Sequence, residues 1–335
     1  MIPYRSILAG IIALFAAVAF AAQVHAETGT IRVAQQFGIS YLPLIVAKEK
    51  RLIEISAARV GLAEPKVEWL TLSGAAIMNE ALISGNLDIA SAGIAPLITA
   101  WAKTRGTAKI IGLAALCSMP SVLTTINPAI KTLADFTEND RIALPAVKIG
   151  FQPQVLQMAA AQQLGRYDKL DSITVSMPHP DATASLLSGK SEITSHFTSP
   201  PFVQQQLKDA RIHKVLSSYE VLGGPHTFNV AYSTERFVQD NPKTSAAFIA
   251  ALDEADTWIG EHPAEAARLY IAAEQSKLDP AFIEAIIRDP ENRFTTVPEK
   301  AEIFASFQYR VGLIKVKPGS WRDLFQPALQ DKPGS

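Results

Sequence analysis

Glycines, hydroxyls, side-chain amides, two histidines and a lysine recur at six places in this chain, each directly after a strand-like run. The places are Gln36-Phe37-Gly38-Ile39-Ser40-Tyr41, Ser73-Gly74-Ala75, Gly93-Ile94, Ala146 to Gln152, Pro178-His179-Pro180-Asp181 and His196-Phe197-Thr198. Such residues suit the capture of an anion. Lys148, His179 and His196 supply N–H donors or positive charge, and the one acid among them, Asp181, is placed to cap a helix. Phe37, Tyr41, Phe151 and Phe197 offer apolar walls. Each polar candidate also has a purely structural reading. Ser73 can serve as an N-cap, Lys148 as a solvated loop residue, His179 as an exposed residue between prolines, and His196 as a satisfied strand-end histidine. His226 in GGPHTF can order a crossing between lobes.

Signatures of turnover are poor by comparison. LLSGKS resembles a phosphate-binding loop, but Ala184 stands where its first glycine belongs, and the segment reads helix-then-strand, the reverse of the required order. No G-x-S-x-G, H-E-x-x-H or C-x-x-C is present. The histidines are scattered, so no metal site is indicated, and no cofactor is expected. The single cysteine, Cys117, lies in the apolar run IIGLAALCSMP and reads as a buried thiol. Asp253, Glu254, Asp256 and Glu261 share helical spacing and read as a solvated face.

The elements that must position these residues alternate. IRVAQQ (31–36), VEWLTL (67–72) and LDIASA (87–92) read as strands, with helices over about 42–52, from Ser73 to Gly85, and from Pro96 to about Lys103. IIGLAAL and SVLTTIN read as two further strands. The pattern then restarts with RIALPA (141–146), SITVSM (172–177) and SEITSHF (191–197), with helices over about 153–164, from Asp181 to Gly189, and from Pro200 to about Asp209. The third beat is nearly the same phrase twice. LISGNLDIASAGIAP (82–96) and LLSGKSEITSHFTSP (186–200) share Leu, Ser, Gly, Ile, Ser and Pro at matching places. Their differences, Ala92-Gly93 against His196-Phe197, fall at the strand's carboxyl end.

Alternation of this kind means α/β architecture, with mostly parallel sheets flanked by helices. Two similar sets mean two lobes. After 214–233, strand-like around Gly223-Gly224-Pro225, the rest reads as helices near 241–261, 263–274, 280–288, 298–313 and 320–328. These have no sheet of their own, so they are expected to pack on the first lobe. Lobe one is then 27–120 plus 226–335 and lobe two 121–225, with crossings near 116–128 and 218–230 as hinge. Ligands of open α/β sheets lie beyond the strands' carboxyl ends, where helix N-termini present unpaired N–H groups.

At the start of the chain, Arg5 is the only charge before Glu27. Ile7 to Ala22 is apolar, and Val24-His25-Ala26 carries small residues at the cleavage positions. Residues 1–26 therefore read as a cleavable secretory signal, the apolar run being shorter than the ~20 residues that span a bilayer. The rest carries a net charge near −2 with no basic block, which argues against a nucleic-acid partner.

The motifs IRVAQQFGISYLPLIVAKEKRL, LSGAAIMNEALISGNLDIASAGIAP, LPAVKIGFQPQVLQMAAAQQLG, HFTSPPF and GGPHTFNVAYSTERF resemble the solute-binding proteins of ABC importers in the nitrate/sulfonate/taurine group. The resemblance covers roughly residues 31 to 260. It implies a type II periplasmic binding protein, monomeric and non-catalytic, whose lobes close on a small anion. The anion would then pass to an ABC permease with its ATPase. By position, Ser73, Gly74 and Ala75 would receive an acidic head group. Gln36 and Tyr41 from lobe one, and Lys148 to Gln152, His179, His196 and Thr198 from lobe two, would line the pocket. The expected ligand is a sulfonate or carboxylate with an organic body, aromatic bodies included. Two other readings stay open here: a pyrimidine-precursor binder or synthase-like enzyme on the same fold, and a ligand-responsive partner of a membrane sensor.

Overall fold

A computed structural model describes residues 27–335; the expected signal at 1–26 lies outside the described residues. In chain order the first half contains β1 (Thr30–Gln35), α1 (Leu42–Glu49), α2 (Leu52–Arg59), β2 (Lys66–Thr71), α3 (Ala75–Ile83), β3 (Ala90–Gly93), α4 (Ile94–Lys103), β4 (Ile110–Ala115), β5 (Cys117–Ser118) and β6 (Val122–Thr125). Then come β7 (Ile142–Leu144), α5 (Phe151–Leu164), β8 (Thr174–Ser176), α6 (His179–Ser188), β9 (Ser195–Thr198), α7 (Phe202–Gln206), β10 (His213–Ser217), α8 (Ser218–Leu222) and β11 (Asn229–Thr234). The remainder is α9 (Glu235–Asp240), α10 (Pro242–Glu261), α11 (Pro263–Ala273), α12 (Pro280–Arg288), β12 (Arg293–Phe294) and α13 (Ala301–Arg310).

Two sheets repeat one topology. In the second, the order is β8-β7-β9-β6-β10, with β7 parallel to β8 and β9, and β6 antiparallel to β9 and β10. In the first, β1 pairs parallel with β2, and β11 lies antiparallel between β3 and β4. A parallel bridge between Val33 and Ile89, with Ala34 N–H donating to the Ile89 carbonyl at 2.9 Å, joins these halves into β2-β1-β3-β11-β4. In each sheet the one strand that runs against the others has just arrived from the other lobe.

The repeated phrase occupies the third beat of each set. Gly85 and Gly189 are both left-handed (φ 74° and 62°) and stop α3 and α6, a conformation that costs an L side chain and not glycine. Both third strands start later than expected, at Ala90 and Ser195. Ahead of β3, the Asp88 carboxylate accepts from Arg32 N–H, Nε and Nη2 at 2.7–2.9 Å and holds the chain in a bend. Helix α2 extends beyond the expected helix: Arg51 takes φ 55° and breaks the run, and a second helix then buries Leu52, Ile53, Ser56 and Ala57.

The chain passes between the sheets twice, over 116–121 and 218–228. These crossings pair with each other. Leu116 N–H donates to the Asn229 carbonyl at 2.8 Å, Phe228 N–H to Cys117 at 3.0 Å and Ser218 N–H to Ser121 at 2.8 Å. His226, fully buried, locks them together. Its Nε2 lies 2.9 Å from the Ser218 hydroxyl, which accepts from Ser121 N–H at 2.9 Å. Cys117 is buried here, and burial pushes its thiol up, so it is not a nucleophile at neutral pH.

The C-terminal helices pack on the first sheet's lobe: α10 on α1 and α2, α11 on α1, and α13 on α4. Pro242, Pro263 and Pro280 each stand in the first turn, where the missing N–H costs nothing. The last segment closes over β4. Gly112 bridges Phe325, and a methyl on Gly112 would lie 2.5 Å from the buried Phe325 ring. Gly112→Ala is therefore expected to destabilise the fold by about 1–3 kcal/mol, read as a lower urea midpoint. An unchanged midpoint would show that 321–329 does not pack as described.

Candidate functional site

Between the lobes lies a cavity at the carboxyl ends of β1, β3 and β7, where four helices begin. It is lined by Gly74 and Ala75 at the start of α3, Gly93 before α4, Gly150, Phe151 and Gln152 at the start of α5, and His179 at the start of α6. The cavity is small, about 40 Å³. The lobes are thus closed around a small volume. Contacts across the cleft are direct: Ile39 N–H donates to the Pro200 carbonyl at 3.3 Å, and Gln308 Nε2 to Gln154 Oε1 at 2.9 Å.

Of the sequence candidates, Gln36, Phe37, Tyr41, Gly74, Ala75, Gly93, Phe151, Gln152 and His179 line this cavity. Gln36 accepts from Gly74 N–H at 3.0 Å and so ties β1 to the start of α3. Ser73 does not line the cavity, nor does it cap α3: the cap position is Gly74, at φ 99°, a backbone that favours glycine. Asp181 sits inside the first turn of α6 and Pro178 holds the cap position.

Lys148 stands apart. It is exposed on the loop before α5, at φ 62°, and points no charge into the cavity. The β9 residues are distributed by strand alternation. Phe197 faces the apolar core, while His196 and Thr198 share the other face and meet His179 from behind. None of the three lines the cavity.

Ser40, Ala146 and Gly150, from the same post-strand stretches, line it too, and residues outside those stretches complete the lining: Ala92, Pro96, Pro145, Ser199, Phe228 and Asn229. Asn229 Nδ2 donates to the Ser40 hydroxyl at 2.8 Å. Phe228 and Asn229 come from the return crossing, 135 positions after Gly93 in the case of Phe228, and Ile94 N–H donates to the Phe228 carbonyl at 2.9 Å. The polar Asn229 inside the apolar run TFNVAY was the one available signal for the return crossing.

The electrostatics are those of a neutral donor set. Among the described residues no lysine or arginine lines the cavity. Burial pushes His179 down to about 3 and His196 well below the usual imidazole range, so both rings are uncharged at neutral pH. Burial also raises the Tyr41 phenol, which stays protonated. Positive potential therefore comes from helix N-termini. Among the described residues no group of three or more His, Cys, Asp or Glu is placed to hold a metal ion, and no helix is long and apolar enough to cross a membrane.

A family model described as NMT1-like matches residues 25–273. The chain belongs to the NMT1-like family. Solved structures share the fold of this NMT1-like protein at low identity. The alkanesulfonate-binding protein SsuA from Xanthomonas axonopodis pv. citri, bound to MOPS, has a TM-score of 0.69 at 19% identity, covering 86% of this chain and 95% of its own. The periplasmic nitrate-binding protein NrtA from Synechocystis PCC 6803 gives 0.68 at 19%, covering 89% and 84%. The aliphatic sulphonate-binding SsuA from Escherichia coli gives 0.64 at 18%, covering 90% and 93%. No curated protein matches the chain. The fold is thus that of periplasmic binding proteins, and the resemblance to the nitrate/sulfonate/taurine group holds at that level.

Proposed function

We propose that this NMT1-like protein is an extracytoplasmic, non-catalytic solute receptor that captures a small organic anion and delivers it to an ABC permease. The observation that carries the reading is the convergence of four helix N-termini on one closed cavity between two lobes, with neutral donors and no cationic side chain. Phe37, Tyr41, Phe151 and Phe228 add apolar wall, which favours a sulfonate or carboxylate carrying an organic body over a bare inorganic ion. The similar fold of sulfonate- and nitrate-binding periplasmic proteins supports the same reading.

The mechanism needs no covalent step. An acid enters the open cleft and places its oxygens against the N–H groups around Ala75, Gly150 and Gln152, the Gly74 N–H being held by Gln36. Charge-assisted hydrogen bonds are worth about 1.5–3 kcal/mol each, so a few of them with some apolar burial supply the ~8 kcal/mol of micromolar affinity. Closure follows because residues 27–120 with 226–335, and residues 121–225, both touch the ligand only when shut. The protein acts as a monomer, after an export signal at 1–26 is removed.

Calorimetry with a panel of sulfonates and carboxylates, on protein stripped of co-purified ligand by unfolding and refolding, tests this. At least one small acid is expected to bind and to reduce the radius of gyration in X-ray scattering. No binding across the panel would sink the reading.

A further inference from the structure

Behind the cavity wall runs a chain of buried polar side chains that the binding reading does not use. His179 Nδ1 lies 2.9 Å from His196 Nε2, and His196 Nδ1 lies 2.7 Å from Gln206 Nε2. The Gln206 amide is itself held at both ends. Its Nε2 donates to the Thr183 hydroxyl at 3.0 Å, and its Oε1 accepts the single Thr124 hydroxyl proton at 2.7 Å, the shorter of that hydroxyl's two contacts, the other being the His196 carbonyl at 3.1 Å. His196, Gln206 and Thr124 are completely buried, and among the described residues their side chains bond only to neutral groups.

An amide nitrogen can only donate, so His196 Nδ1 must accept. A neutral imidazole has one donor and one acceptor, so the His196 proton is on Nε2, aimed at His179 Nδ1. That nitrogen therefore accepts, and the His179 proton is on Nε2, on the cavity side. Here the Gln152 Nε2 lies 3.4 Å from His179 Nε2. Two N–H donors do not bond each other; they converge on a point where one oxygen could accept from both.

We propose that His196 and Gln206, neither of which lines the cavity, are positioning residues that fix the proton of His179 on Nε2, so that the site offers an acidic head group an N–H donor and not a lone pair. The inference rests on the receptor reading and assigns its specificity. With the opposite tautomer, His179 would turn a lone pair toward the ligand's oxygens and repel them. Burial keeps both rings uncharged at neutral pH, so the donor is present there without protonation of the imidazole. The relay also accounts for the repeated phrase: His196 replaces Ala92 of the first copy and, with Thr198 two residues on, reaches the back of His179, at 2.9 and 3.3 Å from its Nδ1.

Nitrogen-15 NMR of histidine-labelled, unliganded protein tests this whether or not any acid binds. His179 is expected with a protonated Nε2 and a bare Nδ1, and a protonated Nδ1 would overturn the proposal. Gln206→Glu offers a carboxylate acceptor to His196 Nδ1, so it is expected to move the His179 proton to Nδ1. A folded Gln206→Glu protein with an unchanged His179 tautomer would overturn the role of Gln206, and the wild-type spectrum decides the matter if that variant does not fold. A panel of acids that fails to bind, beside the expected tautomer, would instead refute the receptor reading alone.

Discussion

Gly93→Ala is expected to lower the affinity for a bound acid by about ten- to a hundredfold while leaving the unliganded protein folded. Gly93 ends β3 on one lobe, and a methyl there would lie 2.6 Å from the Cβ of Phe151, the first residue of α5 on the other. The backbone at Gly93 (φ −58°, ψ 155°) accepts alanine without strain, so the conflict arises only across the cleft. A Cβ cannot rotate away as a ring tip can. The Phe151 ring is moreover held by Phe228 at 4.7 Å, His226 at 5.2 Å and Phe304 at 5.3 Å between centroids. Relief therefore requires the start of α5 to move back from β3, which opens the cleft. Overpacking of this kind costs about 1–3 kcal/mol, charged here to the closed state. Calorimetry reads the affinity and scattering reads the loss of compaction with ligand. Gly93→Ala combined with Phe151→Gly removes the second atom of the clash and should recover closure. A lower melting temperature with intact affinity would mean that this contact belongs to the core and not to the cleft.

The second large effect is on stability in acid. Burial holds His179 at about 3 and His226 at about 4, with His196 also depressed, against an unfolded value near 6.5. Below pH ~6.5 the unfolded chain takes up protons that the folded chain refuses. Stability is thus complete above that pH and is lost as pH falls toward 4, by about 1.4 kcal/mol per histidine per pH unit. Two carboxyls oppose this. Burial raises Glu274, on the turn after α11, to about 7, and raises Asp256 in α10 well above the usual range. Each is protonated in the fold while still ionised in the unfolded chain, so each gains stability as pH falls. Glu274→Gln removes one opposing group. Its stability should fall more steeply with acidification than the parent's, by about 1.4 kcal/mol per unit between pH ~7 and ~4.5. Urea midpoints across that range measure the difference, and parallel curves would refute the assignment of Glu274.

Much of the fold was written locally. Hydrophobic alternation marked the strands, and glycines 85 and 189 marked helix ends where φ turns positive. Prolines 242, 263 and 280 marked helix starts. These signals act over a few residues, so a linear reading captures them. From them followed two α/β lobes, the helical C-terminus and a cleft at the strands' carboxyl ends. Gln36, Gly74, Gly93, Gln152 and His179 were legible for the same reason: each directly follows a strand or opens a helix.

What the tertiary structure decided depends on contacts between distant segments. Phe228 and Asn229 reach the cavity because β11 inserts antiparallel between β3 and β4, a pairing across more than a hundred residues that no local pattern encodes. Lys148 left the cavity because its loop takes a left-handed turn into solvent. His196 stands at the strand end that its phrase marked, but the side it faces depends on register, and a one-residue shift would have exchanged it with Phe197. Pairing with β6 sets that register, placing Phe197 in the core and His196 behind His179. The sequence by itself determined where strands end and helices begin; long-range strand pairing decided which of those ends, and which of their side chains, meet at the cleft, because register and crossing order are properties of the assembled sheets and not of any one segment.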